Sequence, residues 1–210
     1  MEILDIHTHR VKENSSQCIY SCLPTAFNPQ EGGYYSVGVH PWYINADTGK
    51  ELEYLKKIAS NPQILAIGEA GIDKLITTPL SIQMDIFRHH IELSETLNKP
   101  LIIHSVKSVN EIVMLKKELS PKATWIIHGF RGKRELAQQL FAHGIYLSFG
   151  EQFQENALKC IPLERLLLET DESDKNILEI YQTVAKILNL SVEKLQEQIQ
   201  QNIKQLFFNR

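Results

Sequence analysis

The sequence has little cysteine. Its 210 residues include three cysteines, Cys18, Cys22 and Cys160. The count is odd and no Cys-x-x-Cys pair occurs, so we expect reduced thiols in a reducing compartment. The N-terminal residues Met1-Glu2-Ile3 show no basic segment followed by an apolar core, which is the pattern of a signal peptide. A cytoplasmic location is therefore expected.

The sequence also lacks an excess of positive charge and any long apolar run. It has 22 Lys and Arg against 25 Asp and Glu, a net charge of -3 and a pI near 6.2. Sequence-independent binding to nucleic acid requires an excess of cations, so a general polyanion-binding protein is excluded. Chemistry on a phosphate would depend on metal ions and a few local cations. No run approaches the roughly 18 apolar residues of a transmembrane helix, so no membrane association is expected.

The remaining composition is that of a globular protein, with 43% hydrophobic and 22% charged residues. Eight short apolar runs alternate with helix-spaced segments in most of the chain, and runs such as Ile64–Gly68 are typical of strands buried on both faces. In the longest helical segment, Ile82, Ile86, Leu93 and Leu97 are expected to form the apolar face. This alternation predicts a (β/α)8 barrel of parallel strands in a single domain, residues 1–210, whose first two crossovers are too short for normal helices.

Residues of the types that bind metal ions directly follow these apolar runs. They are His7, His9, His40, Glu69, His104, His128 and Asp171. In a parallel barrel the carboxyl ends of the strands converge on one face, where active sites lie. Each residue by itself is best explained as an ordinary core or loop residue, but the whole set is not. Imidazole and carboxylate suit Zn²⁺, Mn²⁺ or another divalent ion. Without His40 the set has six ligands, which exceed the number that one catalytic zinc uses. The set therefore predicts two divalent ions that share a carboxylate.

The residue types also suggest roles. His7 and His9 point to one side of a strand, so they would hold one ion, and His104 with His128 would hold the other. Glu69 is the expected bridge, and Asp171 would touch the first ion and accept a proton from a metal-activated water. The three remaining histidines, His89, His90 and His143, lie in helical segments and are expected to be solvated.

Six motifs in order resemble the TatD-type metal-dependent deoxyribonucleases, a family of amidohydrolase-like barrels, of which this would be a short member. They are His7-Thr8-His9, Gly38-Val39-His40-Pro41, Gly68-Glu69-Ala70-Gly71-Ile72-Asp73, Ile102-Ile103-His104-Ser105, Ile127-His128-Gly129-Phe130 and Glu169-Thr170-Asp171. The resemblance implies a distorted TIM barrel and hydrolysis of DNA phosphodiester bonds, commonly as a 3'-5' exonuclease. It also implies Mg²⁺, Mn²⁺ or Zn²⁺ on the six residues assigned above as ligands, with His40 facing substrate phosphate.

The sequence departs from the family around these motifs. Val106 stands where the family has an arginine after His-Ser, and Glu172 follows the last aspartate. Lys107 and Arg131 could replace the missing cation as phosphate contacts, or could equally be solvated residues. Trp42 or Tyr43 could stack on a base, although simple loop packing is the favoured interpretation of Trp42.

Three functions are compatible with these features. The leading one is a metal-dependent phosphodiesterase acting on DNA ends, with no membrane or obligate protein partner. The alternative keeps the metals but changes the substrate to a small amide, lactone or phosphoester. The third is a non-catalytic metal-binding protein.

Overall fold

The computed structural model describes residues 3–10 and 17–209. Among them, eight strands alternate with helices from the third strand onward, as the apolar runs predict. The strands are β1 (Asp5–Thr8), β2 (Cys18–Cys22), β3 (Tyr34–Val37), β4 (Ile64–Asp73), β5 (Leu101–Val106), β6 (Trp125–Ile127), β7 (Tyr146–Phe149) and β8 (Leu166–Leu168). The α-helices are α1 (Thr48–Ile58), α2 (Leu80–Leu97), α3 (Val109–Leu119), α4 (Arg134–Ala142), α5 (Glu155–Leu158), α6 (Ile177–Leu188) and α7 (Val192–Ile203). None of the helices in these residues is long and apolar enough to cross a membrane.

The strands follow one another in chain order within one eight-stranded sheet. The pairs β1–β2, β3–β4, β4–β5 and β7–β8 are parallel. In addition, Thr8 at the end of β1 forms a parallel bridge with Asp171, which follows β8. The predicted (β/α)8 class is thus confirmed. The second crossover, 23–33, has a single 3-10 turn at Pro24–Ala26, while the first includes residues 11–16, which lie outside the described residues.

The chain forms two compact units. The first unit is Met1–Tyr20 with Ile127–Arg210, and the second unit is Ser21–Ile126. The expectation of one domain over residues 1–210 stays a prediction. In the first unit, buried Phe149, Leu168 and Tyr181 contribute to the core, and the Tyr181 hydroxyl donates to the Leu4 carbonyl at 3.0 Å.

The core of the second unit consists of continuous apolar strand segments, as a sheet buried on both faces requires. Ile67, Ile102 and Trp125 are fully buried there. The buried face of α2 differs from the one that the apolar spacing predicts, because it carries polar residues. It consists of Gln83, Phe87, His90, Ile91 and Ser94, whereas Ile82 is exposed. Of the residues on the expected face, Ile86, Leu93 and Leu97 are half-buried, so this face borders the buried one and does not coincide with it.

Strand β4 is longer than its apolar run indicates. The run ends at Gly68, but the strand continues to Asp73 because Ala70, Gly71 and Asp73 pair with β5. Glu69 consequently lies inside a strand, not at its end. Side chains of a strand alternate between its two faces, so Glu69 and Asp73, four residues apart, lie on the same face.

Candidate metal centre

The first unit contains a cluster of three potential metal ligands: His7, His128 and Asp171. One donor atom from each lies within 4.8 Å of those of the other two. His7 Nε2 is 3.8 Å from Asp171 Oδ1, and the His7 and His128 ring centroids are 4.2 Å apart. The His7 side chain is fully buried, whereas that of Asp171 is 25% exposed. The cluster is therefore accessible from solvent on the Asp171 side.

His9 adds a further imidazole beside this cluster. Its Nε2 atom is 3.6 Å from Asp171 Oδ1, and its ring lies edge-on to that of His7 with centroids 4.9 Å apart. This is the arrangement expected when two histidines separated by one residue share the side of a strand. His7 and His9 thus approach the same carboxylate oxygen.

Backbone hydrogen bonds to β1 hold Asp171 in place. The Asp171 N–H donates to the His7 carbonyl at 2.9 Å, and the Asp171 carbonyl accepts from the His9 N–H at 3.2 Å. Asp171 has φ +54°, in the left-handed region, which aspartate tolerates better than most residues. These two bonds therefore keep the carboxylate next to both histidines.

Glu169 orients the His128 ring through a contact with its Nδ1 atom. The Glu169 side chain is fully buried, and its Oε1 atom is 3.2 Å from His128 Nδ1 and accepts from the Gly129 N–H at 2.7 Å. Burial raises the pKa of Glu169, but the charge of His128, its hydrogen bond and the charge of His7 lower it below the ordinary value. An ionised carboxylate here accepts from Nδ1–H and so directs Nε2 of His128 toward a ligand.

Asp5 supports the same segment from β1. Its Oδ2 accepts from the Thr170 hydroxyl at 2.6 Å, and its Oδ1 accepts from the Thr170 N–H at 3.0 Å. Asp5 is nearly completely buried, so these bonds compensate for the desolvation of its carboxylate. The bonds fix the residue between Glu169 and Asp171.

The second unit contains its own cluster of three: His40, Glu69 and His104. Glu69 Oε1 is 3.0 Å from His40 Nε2 and 2.9 Å from His104 Nδ1. His40 Nδ1 accepts from the Trp42 N–H at 3.1 Å, so the proton of a neutral His40 ring is on Nε2, facing Glu69. The glutamate and His40 are mostly buried, and both imidazoles converge on one carboxylate oxygen.

Asp73 extends this second cluster along β4. His104 pairs with Gly71, midway between Glu69 and Asp73, and His104 Nε2 is 3.5 Å from Asp73 Oδ2. The same oxygen accepts from the Trp42 indole N–H at 2.7 Å. Burial raises the pKa of Asp73, but the hydrogen bonds from Trp42 and Leu75, together with His104, bring it below the usual range.

Helix α2 holds both ends of this cluster through polar side chains. Gln83 Oε1 accepts from the Asp73 N–H at 2.8 Å, and its Nε2 donates to the Asp73 carbonyl at 3.0 Å. His90 Nε2 accepts from the Val39 N–H at 2.9 Å, next to His40, while its Nδ1 contacts the Ile86 carbonyl at 2.8 Å. Burial lowers the pKa of His90 to about 4, so the ring is neutral.

Both clusters are suited to divalent ions. Each combines imidazole nitrogens with a carboxylate, the ligand types of Zn²⁺ and Mn²⁺ sites, and the donor atoms are close enough to converge on one ion. The carboxylates that contact His128 and His104 orient these rings as they do in many metalloproteins.

Comparison with known proteins identifies the family. The sequence model described as "TatD related DNase" matches residues 11–208. The chain belongs to this family. An uncharacterized metal-dependent hydrolase of Buchnera aphidicola is 31% identical over 194 residues, which cover 82% of this chain and 73% of that one. The uncharacterized metal-dependent hydrolase YcfH of Escherichia coli K12 is 29% identical over 196 residues, 82% of this chain and 73% of that one. The protein is thus a metal-dependent hydrolase of the TatD family.

Solved structures support the same fold. The crystal structure of YjjV, a TatD homologue from Escherichia coli K12, has a TM-score of 0.84 at 17% identity and covers 98% of this chain and 97% of its own. A TatD family hydrolase from Entamoeba histolytica has a TM-score of 0.78 at 17% identity, covering 100% and 99%. The chain has the distorted (β/α)8 fold of TatD proteins, as the resemblance of its motifs predicts.

The predicted ligands are distributed between the two units of this TatD protein. The first unit brings together His7, His9, His128 and Asp171, and the second brings together Glu69 and His104 with His40. Their metal-binding roles remain predictions. The same holds for the bridging role of Glu69 and for one ion shared by His104 and His128.

Of the predicted substrate contacts, His40 belongs to the second cluster, whereas Lys107 and Arg131 belong to neither cluster. Lys107 directly follows β5 with φ +52° and is exposed, and Arg131 is exposed three residues after His128. Their contact with phosphate stays a prediction. Trp42 is 57% exposed although its indole N–H is hydrogen-bonded, so loop packing alone does not describe it.

Sequence reasoning missed the residues that hold the ligands. Asp5, Asp73 and Glu169 are buried polar residues that contact the candidate ligands or their backbone, and buried Gln83 holds the backbone of Asp73. The expectation that His90 is solvated is wrong, because it is fully buried. A charged residue within or next to an apolar strand, as at Asp5 and Glu169, was the available signal, because a buried charge requires a partner.

Proposed function

We propose that this TatD-family hydrolase cleaves phosphodiester bonds of DNA as a 3'-5' exonuclease. The observation that carries the proposal is the pair of His–carboxylate clusters, one in each unit, on the strands and loops of a TatD fold. Phosphoryl transfer needs little more than positioned charge, which two divalent ions provide. A relative from Erwinia tasmaniensis, 28% identical over 148 residues that cover 65% of this chain and 56% of that one, is named a 3'-5' ssDNA/RNA exonuclease.

The clusters define which residues would hold Mg²⁺, Mn²⁺ or Zn²⁺. His7, His9, His128 and Asp171 would hold one ion, and Glu69 and His104, with His40 beside them, would hold the second. Bound ions supply a Lewis acid for the phosphoryl oxygen and lower the pKa of a coordinated water.

The side chains of the protein would then orient the substrate and move the proton. Asp171 is the proposed base, because its carboxylate is partly exposed and its backbone is fixed by β1. His40, whose Nε2 atom faces Glu69, would face the substrate phosphate. Exposed Lys107 and Arg131 would contact neighbouring phosphates. A net charge of -3 suits the trimming of ends better than binding along a duplex, which demands many cations.

The test is hydrolysis of end-labelled single-stranded and duplex DNA by metal-stripped protein that is resupplied with Mg²⁺, Mn²⁺ or Zn²⁺. We expect stepwise, metal-dependent shortening from the 3' end. We also expect Asp171→Asn to reduce turnover by several powers of ten with the fold retained. If the metal-loaded protein leaves DNA intact, the exonuclease proposal is rejected and hydrolysis of a small amide, lactone or phosphoester takes its place.

The proposal extends to the cellular setting. DNA ends are the proposed partner, without a membrane or an obligate protein partner, and the cytoplasm is the proposed location. The three cysteines are free thiols, which is compatible with a reducing compartment.

A further inference from the structure

Two adjacent aromatic side chains are exposed to solvent beside the second cluster. Trp42 and Tyr43 lie in a 3-10 turn, Pro41–Tyr43, that directly follows His40. They are 57% and 54% exposed. Single exposed apolar residues are common in proteins, but two consecutive aromatics next to a group of potential metal ligands form a local surface that can contact a ligand. We call Trp42 and Tyr43 the aromatic platform.

The contacts of Trp42 hold its ring in a defined orientation. The indole N–H donates to Asp73 Oδ2 at 2.7 Å. The ring packs edge-on against His40, with centroids 4.9 Å apart and an interplanar angle of 85°, and against His104 at 5.9 Å and 72°. Trp42 is therefore fixed at its polar edge while more than half of its surface remains in water. A side chain held in this way loses little conformational entropy when a ligand contacts it.

Tyr43 adds a second aromatic surface on the same turn. Its ring is tilted by 58° relative to that of His40, at a centroid distance of 5.8 Å. The Tyr43 carbonyl accepts from the Asn45 side-chain amide at 2.9 Å. The backbone N–H of Asn45 in turn donates to the Thr48 hydroxyl oxygen at 2.8 Å. The platform is thus connected to the start of α1, and its backbone does not depend on a ligand.

The chemistry of the platform specifies its ligand. The only polar hydrogen of the Trp42 ring is already donated to Asp73, so the exposed part of the ring offers π-surface and no hydrogen bond. Such a surface binds a flat aromatic group. The neighbouring Glu69 and His104, with His40 beside them, would hold an ion that attracts phosphate. A flat aromatic group joined to a phosphate by a short linker is a nucleotide.

We propose that Trp42, with Tyr43, forms a stacking subsite for a nucleobase attached to the phosphate that is bound next to His40. This proposal rests on the proposed nuclease function and adds which side chains bind the base of the nucleotide. Because stacking uses only the face of the base, the subsite would accept all four bases with similar affinity. It would discriminate against a sugar phosphate that has no base.

Tryptophan fluorescence reports directly on the platform. The chain has two tryptophans, and Trp125 is completely buried, so quenching by a small ligand reports on Trp42. We expect saturable quenching by thymidine 5'-monophosphate and none by 2-deoxyribose 5-phosphate. Trp42→Leu should abolish the saturable signal. The subsite would be overturned if both compounds quench the fluorescence equally, or if neither compound quenches it.

Kinetics with modified DNA provide an independent measurement. For wild type, we expect a KM about tenfold higher for an oligonucleotide with an abasic 3'-terminal residue than for an ordinary one, which corresponds to the loss of one stacked base. Trp42→Leu should raise KM for ordinary ends by a similar factor and remove the difference between the two substrates. Trp42→Phe keeps an aromatic ring but loses the bond to Asp73, so it should retain part of the difference.

The control is Tyr54→Leu, which removes another exposed tyrosine, 41% exposed on α1, and should leave KM unchanged. The two proposals fail differently. If wild type cleaves DNA but has the same KM for abasic and for ordinary 3' ends, the subsite is wrong and the nuclease function stands. If no DNA is cleaved but only the base-containing nucleotide quenches Trp42, the nuclease function is wrong and the subsite stands.

Discussion

Glu169 shows how one buried side chain determines what a neighbouring imidazole can do. Its Oε1 atom contacts both His128 Nδ1 and the Gly129 N–H. Gly129 has φ +55°, a conformation that favours glycine, and a Cβ there would lie 3.6 Å from the same carboxylate oxygen. The turn after β6 is therefore shaped so that Glu169 can hold the backbone and the ring of His128 together.

Replacing Glu169 by Gln should weaken metal binding without unfolding the protein. Glutamine keeps the size and an acceptor oxygen, but it removes the charge that stabilises the Nδ1–H tautomer of His128. Loss of such a partner typically lowers metal affinity about 10- to 100-fold. Isothermal titration with Mn²⁺ or Zn²⁺ would measure the change. Glu155→Gln, an exposed residue of α5, is the matched control, and equal affinities in both variants would contradict the assigned role.

His90 should make the stability of the protein depend on pH. Its pKa is lowered to about 4, first by burial, whereas an unfolded histidine titrates near 6.5. Below pH 6.5 the unfolded chain takes up a proton that the folded chain does not, so stability is lost as the pH falls from about 6.5 to 4. At pH 5 this loss is about 2 kcal/mol of unfolding free energy.

The variant His90→Gln should remove this part of the pH dependence. Glutamine can accept from the Val39 N–H and donate to the Ile86 carbonyl without titrating. Urea unfolding at pH 7 and pH 5 should therefore show a smaller difference for this variant than for wild type, by about 2 kcal/mol. His89→Gln changes the exposed neighbour and should keep the wild-type difference. An unchanged difference in His90→Gln would show that the buried imidazole is not responsible.

Among the elements, β4 contributes most to the second cluster. Its pairing with β5 continues past Gly68, and His104 lies opposite Gly71. Glu69 and Asp73 therefore flank His104 from one face of the same strand. Gly71 has φ +153°, and a Cβ there would lie 2.0 Å from the His104 carbonyl oxygen. The close approach of the two strands thus requires glycine at this position.

The variant Gly71→Ala should lose both stability and metal binding. The clash must be relieved by moving β4 away from β5, at a cost of about 3 kcal/mol. The control is Gly49→Ala in α1, where a Cβ meets nothing within 4 Å and alanine should stabilise the helix by up to about 1 kcal/mol. Urea unfolding of both variants measures the difference. A stable Gly71→Ala variant with normal metal content would contradict the close packing of these strands.

For the whole molecule, metal binding should contribute to stability. An ion that binds only the folded chain stabilises it by about 2.7 kcal/mol at 100 times its Kd. For a chain of this size, that raises Tm by about 5 to 10 °C per ion. Thermal unfolding with EDTA and with added Mn²⁺ would measure this shift. An identical Tm under both conditions would mean that the folded chain does not bind Mn²⁺ appreciably.

The number of ions can be assigned to the two units by native mass spectrometry. We expect two ions in wild type and one in either His104→Ala or His128→Ala, because these residues belong to different clusters. The double variant should retain no tightly bound ion. If it retains one, then His104 and His128 share an ion, which is the arrangement that the strand-end positions alone suggest.

Sequence prediction succeeded where a feature depends on residue types within a short segment, and it failed where the feature depends on contacts with distant segments. The candidate ligands could be identified because a whole set of histidines and carboxylates directly after apolar runs is unusual, although each of them alone is ordinary. The face of α2 could not, because Gln83 and His90 look like solvent-facing residues until β4 and the His40 turn are placed beside them. The length of β4 was underestimated for a related reason, since its polar half is stabilised by pairing with β5.

The sequence by itself determined the order and type of most elements and the chemistry of the donors, because local periodicity and residue type are properties of short segments. Only the tertiary structure decided which donors meet. His7 faces Asp171 because backbone bonds join β1 to the end of β8, and His104 faces Glu69 because of the register of two strands. Such pairings arise from contacts between residues distant in the chain, and no local pattern specifies them.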